Sequence, residues 1–268
     1  MEVSENLNTN DGHAVREIQV VATIDELSHV AAEAIVWRAA DAIRERGRFI
    51  IALSGGSTPK SLFQLLATPA FASRIDWQQV HVCWGDERCV PPDDARSNYR
   101  MACEAMLDHV PIPEPNVHRI RGEDTPVVAA VAYEAELRNL FNMSERHDDD
   151  FASFDLILLG LGADGHTASL FLHGAALHEQ SRWVTAEFSE SVSMWRITLT
   201  LPLINASRHV LFLVAGADKA DVVQQIIATP THAGLLPAAR VAPTRGILHW
   251  IIDGAAAAKS APSPTTNA

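Results

Sequence analysis

The feature that most constrains the fold of this chain is an alternation of short apolar, β-branched runs with longer segments of helical periodicity. Strands are predicted at residues 17–22, 48–53, 79–84, 154–160, 182–188, 195–201, 208–214 and 246–252. Helices are predicted at residues 24–46, 60–66, 97–107, 125–141 and 217–227. Because strands that alternate with helices build βαβ units, the pattern predicts an α/β fold with a mostly parallel sheet.

The composition is that of a globular protein with a sizeable core, since 47% of the 268 residues are hydrophobic and 20% are charged. No linker is long enough to separate two domains. We therefore expect a single domain over residues 15–258, with flexible termini at 1–14 and 259–268 and a charged surface loop at 145–150.

The charge balance excludes several classes of partner. The chain has 33 acidic and 21 basic residues, and its net charge of −12 argues against binding to nucleic acid or to an anionic membrane. No apolar run approaches the roughly 18 residues of a membrane span. Three cysteines without zinc-ligand spacing suggest free thiols in a reducing compartment. We expect a cytoplasmic protein that is a monomer or a weak homo-oligomer.

The first segment with residues suited to ligand binding is LSGGSTP at residues 53–59, directly after a predicted strand. Ligands of open α/β sheets bind outside the carboxyl ends of the strands. Gly55 and Gly56 allow close approach of the backbone, and Pro59 suits the first turn of a helix whose N-terminus favours an anion. The alternative is a loop that only turns the chain.

The second segment places Asp86, Glu87 and Arg88 after the next strand, with Ser-Asn-Tyr following at residues 97–99. A carboxylate pair beside an arginine suits a grip on a sugar hydroxyl or a phosphate. A solvated loop is the alternative.

The third segment is the glycine-rich GLGADGHTASLF at residues 160–171, which we expect to open a helix. His166 is a candidate general base, since an imidazole ordinarily titrates near neutrality. Asp164, two residues before it, would orient the imidazole or the loop. The alternative is a residue at a helix N-terminus without a catalytic duty.

Two basic residues complete the set of candidate site residues. Arg196 heads a predicted strand, and Lys219 follows another. If both lie at the same sheet edge, they would hold a phosphate together with the Ser–Gly segment. Otherwise each is an ordinary surface charge.

Together these segments resemble the 6-phosphogluconolactonase family. The matching pieces are LSGGSTP, DERCV at 86–90 with SNY at 97–99, GLGADGHTASLF, RITLTLP at 196–202 with INA at 204–206, and GADKA at 216–220. The likeness runs in order over residues 18–257. Leu172 and His173 stand where the family has proline, and residues 193–195 also replace prolines.

The resemblance implies the modified doubly wound sheet of glucosamine-6-phosphate deaminases and ribose-5-phosphate isomerases. It also implies cofactor-free hydrolysis of 6-phospho-D-glucono-1,5-lactone, with His166 as the base. The catalytic candidates are His166, Asp164 and Arg88. The substrate-binding candidates are Ser54, Gly55, Gly56, Ser57, Thr58, Asp86, Thr167, Arg196 and Lys219.

The expected mechanism is water attack on the lactone carbonyl, with His166 accepting a proton and returning it to the ring oxygen. The Ser–Gly segment lacks the G-x-S-x-G spacing of a serine nucleophile. The twelve histidines form no metal-binding motif, so we expect no metal and no cofactor.

Two alternatives remain. An isomerase-deaminase of amino-sugar phosphates would use the same scaffold with the Asp86 region and His166, but Arg88 with Ser-Asn-Tyr and the HTAS run favour the lactonase. A sugar-phosphate sensor would need a DNA-binding domain, and the residues before Glu17 leave no room for one.

Overall fold

The computed structural model of the protein describes residues 15–143, 151–227 and 236–260. In these residues the strands are β1 (Val15–Val21), β2 (Phe49–Leu53), β3 (Val80–Trp84), β4 (Asp86–Arg88), β5 (Leu156–Leu159), β6 (Val184–Ser189), β7 (Met194–Leu199), β8 (His209–Val214) and β9 (Ile247–Asp253). The α-helices are α1 (Ile24–Arg46), α2 (Ser57–Leu66), α3 (Pro69–Ala72), α4 (Asn98–Ala105), α5 (Pro126–Leu140), α6 (Leu201–Asn205) and α7 (Ala220–Ile227). Of the predicted flexible termini at 1–14 and 259–268, residues 1–14 and 261–268 lie outside the described residues, and so does the predicted loop at 145–150.

Six strands form the main sheet in the order β1-β9-β8-β5-β2-β3, and every described pair in it is parallel. The prediction of an α/β fold with a mostly parallel sheet is confirmed. The connection from β2 runs to β3 on one side, whereas the connection from β5 leads to β8 on the other. The sheet therefore has its switch point between β2 and β5, where ligands of doubly wound folds bind.

A second sheet holds three antiparallel strands in the order β4-β7-β6. The sequence predicts β6 and β7 as strands but not this separate sheet, and it predicts no strand at residues 86–88. The structure instead pairs these residues with β7, in the register Asp86–Thr198, Glu87–Ile197 and Arg88–Arg196.

Helix α1 shows how local chemistry sets the boundaries of an element. Thr23 accepts a hydrogen bond from the N–H of Glu26 at 3.2 Å, and the Glu26 carboxylate accepts one from Ala22 at 2.8 Å. Such a cap stabilises a helix by roughly 1 kcal/mol. The helix ends at Gly47, whose φ of 72° is favourable only for glycine. The predicted bounds of this helix are confirmed.

The prediction that residues 160–171 open a helix is wrong. These residues form turns, with a β-bridge between Thr167 and Leu170. Gly165 has a φ of 82° and Ala168 a φ of 47°, and a right-handed helix does not continue through residues with positive φ.

The core joins the two sheets. Buried side chains from the main sheet, the smaller sheet and α5 belong to one apolar cluster, in which Phe212 and Trp250 stack at 3.9 Å between ring centroids. Tyr133 of α5 hydrogen-bonds the backbone of Trp84 in β3 through its hydroxyl, at 2.8 and 3.1 Å. This packing fixes the strand ends from which the functional loops emerge. Among the described helices none has the length and apolar character needed to cross a membrane.

Candidate active site

The predicted functional segments follow neighbouring strands of the main sheet. The Ser–Gly loop (residues 54–56) follows β2, the histidine loop (residues 160–170) follows β5, and Lys219 follows β8. Because these strands are parallel neighbours, their carboxyl ends meet at one edge. A β-carbon at Gly160 would lie 3.7 Å from the Oγ atom of Ser54, so the first two loops are in contact at the switch point.

The histidine loop is held by its own backbone. The N–H of Gly162 donates to the carbonyl of His166 at 2.8 Å, and the N–H of Gly165 donates to the carbonyl of Gly162 at 3.0 Å. The Thr167 hydroxyl donates to the carbonyl of Gly160 at 2.9 Å. Thr167 is 1% exposed, so its observed role is to fix the loop to the end of β5.

His166 and Asp164 form a pair within this loop. The Nδ1 atom of His166 lies 2.5 Å from Oδ1 of Asp164, and the His166 N–H donates to the same oxygen at 3.2 Å. Partial burial alone raises the pKa of Asp164, but the charge and hydrogen bonds of His166 outweigh it and hold that pKa below its ordinary value. A carboxylate on Nδ1 favours the tautomer with its proton there, which leaves Nε2 able to accept a proton.

The Ser–Gly loop leads into the ten-residue helix α2. Gly56 has a φ of 105° and caps the helix without a side chain. In the described part of the chain no hydrogen bond uses the N–H groups of Gly55 and Gly56. Free N–H groups at a helix N-terminus attract an anion. Ser57 is exposed and Thr58 half-buried, so both hydroxyls are accessible beside these groups.

The smaller sheet brings two arginines opposite each other. Arg88 of β4 and Arg196 of β7 are cross-strand partners, so their side chains share the face that also carries Asp86. The Nε atoms of both arginines are buried without a hydrogen-bond partner. Burial lowers the pKa of Arg196, and the neighbouring Arg88 adds to this while Asp86 opposes it. Two guanidinium groups on one face of the smaller sheet suit an anionic ligand.

Phe171 connects the arginine pair to the histidine loop. The ring centroid of Phe171 lies 4.9 Å from the ring centroid of His166 and 6.0 Å from the guanidinium carbon of Arg196. The contact between Arg196 and the ring is at the outer limit of a cation–π interaction. His166 and Arg196 therefore border one aromatic side chain.

Asp86 is 5% exposed and has contacts on three sides. Its Oδ2 atom accepts a hydrogen bond from the Ser169 hydroxyl at 2.7 Å and lies 3.6 Å from Nη1 of Arg196. Asn98 donates from Nδ2 to the backbone oxygen of Asp86 at 2.9 Å and to Oδ1 at 3.4 Å.

Glu87 does not join Asp86 in a ligand-gripping carboxylate pair, and that interpretation of the sequence is corrected. Its side chain points to the opposite face of β4 and accepts hydrogen bonds at the N-terminus of α4 from the Ser97 hydroxyl and the N–H groups of Asn98 and Tyr99. Burial raises the pKa of Glu87, and these hydrogen bonds oppose the rise. Strand alternation separates the two carboxylates.

Lys219 lies in the turn after β8, and its ammonium is 2.9 Å from the Asp218 carboxylate. The ion pair of Lys219 is with Asp218, whereas that of Arg196 is with Asp86. Arg88 likewise has a local partner, since its guanidinium donates to the carbonyl of Arg96. A joint grip of Lys219 and Arg196 on one phosphate stays a prediction.

Ser169, Asn98 and Phe171 lie in the motifs that the sequence singles out, yet no role is predicted for them. Their contacts join segments far apart in the chain. The local sequence gives one sign of their roles: the Ser169 hydroxyl and the Asn98 amide lie in motifs that also contain charged residues.

The comparison with known families decides the relationship. A family model described as glucosamine-6-phosphate isomerases/6-phosphogluconolactonase matches residues 22–250. The chain belongs to this family. Family members at 43% identity include the 6-phosphogluconolactonases of a Nostoc species and of a Synechocystis species; the first match covers 81% of this chain and 87% of that protein, the second 88% and 95%.

Solved structures share the fold of this chain. The 6-phosphogluconolactonase from Trypanosoma cruzi superposes with a TM-score of 0.80 at 34% identity, covering 95% of this chain and 98% of that one. A monomeric glucosamine-6-phosphate deaminase superposes with a TM-score of 0.74 at 20% identity and shows the shared fold alone. The predicted family and fold are confirmed.

Proposed function

We propose that the protein hydrolyses 6-phospho-D-glucono-1,5-lactone to 6-phospho-D-gluconate. The observation that carries the proposal is the His166–Asp164 pair bordering the arginine pair through Phe171, at the switch point of the sheet. An unprotonated imidazole nitrogen beside cations suits base-assisted hydrolysis of an anionic ester. Relatives named 6-phosphogluconolactonase, matched over most of the chain, support this substrate.

In the proposed reaction His166 accepts a proton from a water molecule through Nε2 as the water oxygen bonds to the lactone carbonyl carbon. The carbonyl oxygen becomes an oxyanion in the tetrahedral intermediate. When the bond to the ring oxygen breaks, that oxygen takes the proton from His166 and becomes a hydroxyl. Asp164 holds the imidazole in the required tautomer and stabilises its protonated form.

The substrate charge is met by two sets of groups. The free N–H groups of Gly55 and Gly56 with the hydroxyls beside them suit a phosphate, as does the arginine pair, whose side chains share one face of the smaller sheet. We propose that one of these sets binds the phosphate and the other stabilises the developing oxyanion, with Lys219 adding positive charge at the same sheet edge. One well-placed donor to an oxyanion is typically worth about 3–4 kcal/mol.

The test is proton release from freshly prepared 6-phosphogluconolactone near neutral pH, corrected for spontaneous opening. Wild-type protein, His166→Ala and the exposed-histidine control His109→Ala would be compared. We expect His166→Ala to lower kcat by roughly 10²–10⁴-fold and the control to match wild type.

Two results would contradict this proposal in different ways. If folded wild-type protein does not accelerate lactone opening, the substrate assignment is wrong, and ammonia release from glucosamine 6-phosphate becomes the next assay. If wild type is active and His166→Ala keeps near-normal kcat, the reaction stands but His166 is not the base.

A further inference from the structure

Asp86 contacts two of the three segments that make up the site directly and the third through Asn98. Ser169, whose hydroxyl donates to Oδ2, belongs to the histidine loop, and Arg196 belongs to the arginine pair. Asn98 provides the third connection, because its side chain packs against the Ser–Gly loop. A β-carbon at Gly55 would lie 1.9 Å from Oδ1 of Asn98. The chain approaches this amide as closely as glycine permits.

Burial separates the roles of the two acidic residues of the site. Asp164 has a side chain that is 63% exposed, whereas the side chain of Asp86 is 7% exposed. Both carboxylate oxygens of Asp86 already have protein partners. A carboxylate enclosed in this way has little access to a substrate hydroxyl or to the attacking water, and it is ordered enough to hold its partners in place.

We propose that Asp86 is a positioning residue, whose buried carboxylate sets the histidine loop, the Ser–Gly loop and the arginine pair in register, in place of the substrate contact that the sequence predicts. This proposal rests on the proposed function. Asp86 acts through Ser169, Asn98 and Arg196, and it transfers no proton. The register of β4 and β7 supports it, because Asp86 faces Thr198, whose hydroxyl accepts a hydrogen bond from the N–H of Ser169 at 3.2 Å.

The test compares Asp86→Asn, Ser169→Ala and the double variant in lactone hydrolysis. Asp155→Asn is the matched control, because Asp155 is also 5% exposed and also pairs with an arginine, Arg46, but lies before β5 at the opposite end of the strand. We expect Asp86→Asn to raise KM about 10- to 100-fold, the range for losing hydrogen bonds to a charged group. The acid limb of the pH profile should keep its midpoint, since the base is unchanged.

Ser169→Ala should produce a smaller rise in KM, and the double variant should lose no more kcat/KM than Asp86→Asn alone, because both changes remove one shared contact. Asp155→Asn should lower stability without changing KM or kcat. Loss of the acid limb in Asp86→Asn would show proton transfer by Asp86, and multiplicative effects in the double variant would show independent roles. Either result would overturn the proposal.

Amide hydrogen exchange gives a readout that does not depend on the substrate. Exchange in residues 160–170 should become faster in Asp86→Asn and in Ser169→Ala, and stay unchanged in Asp155→Asn. If the lactone proves not to be the substrate, this measurement still tests the connection. If Asp86→Asn does not fold, Ser169→Ala tests the same contact while the ion pair between Asp86 and Arg196 stays in place. Unchanged exchange in the folded variants would refute the positioning role.

Discussion

Gly162 lies directly against His166: a β-carbon at Gly162 would be 2.1 Å from Nδ1 and 2.3 Å from Cε1 of the imidazole. The same β-carbon would lie 2.5 Å from Oδ1 of Asp164. The absence of a side chain at this position is therefore what allows the His166–Asp164 pair to form within so short a loop.

Gly162→Ala should consequently lower kcat by roughly 10²-fold or more, because displacing a catalytic group by about 1 Å has an effect of that size. Stopped-flow lactone hydrolysis measures it. Gly85→Ala is the matched control, since the nearest atom to its β-carbon would be 3.5 Å away, at ordinary contact distance. Equal kcat in the two variants would mean that the pair tolerates displacement.

Asp164→Asn tests the carboxylate of the pair. The amide can donate to Nδ1 and so favour the tautomer that leaves Nε2 protonated, which is the wrong one for accepting a proton from water. Because the side chain of Asp164 is well exposed, water helps the imidazole to change back to the productive tautomer. We therefore expect kcat to fall by roughly 10–10³-fold with little change in KM. Asp124→Asn, at a surface aspartate, is the control. A rise in KM at constant kcat would point to substrate binding instead.

Arg196→Lys tests the planar geometry of the arginine pair. Lysine keeps the charge but loses the two-pronged donor geometry, so KM should rise about tenfold or more while kcat changes less. Arg245→Lys, at an exposed arginine, should leave both constants unchanged. A normal KM in Arg196→Lys would show that the pair binds no substrate anion.

Two partly buried histidines, His209 of β8 and His249 of β9, predict that acid destabilises the protein. His249 contacts Glu17 of β1 and Arg38 of α1 at 2.8 Å each. Burial first, then the charge of Arg38 and the neighbouring His209, lowers the pKa of His249 to about 3. Burial and Arg38 similarly lower the pKa of His209 to about 4.

Since the unfolded histidines bind protons more readily, at a pKa near 6.5, the free energy of unfolding should fall as the pH drops from about 6.5 toward 3 to 4. Urea unfolding at a series of pH values measures this slope. His249→Gln should flatten it relative to wild type, and His109→Gln should not. A slope unaffected by His249→Gln would assign the acid sensitivity to other groups.

Local sequence determined much of this molecule. The alternation of strand and helix patterns predicts the main sheet, and the cap at Thr23 with Gly47 fixes the ends of α1. The glycine-rich segments mark the strand ends that carry His166 and the Ser–Gly loop. These features are predictable because apolar periodicity, capping and backbone freedom act over a few neighbouring residues.

Only the tertiary structure decided how the segments combine. The pairing of Arg88 with Arg196 and the hydrogen bond from Ser169 to Asp86 join residues that are 108 and 83 positions apart. The different roles of Asp86 and Glu87 follow from the strand pairing of β4, which sends alternate side chains to opposite faces. Periodicity in a sequence reports which side chains are buried, but the partner and register of a strand are set by packing across the whole fold.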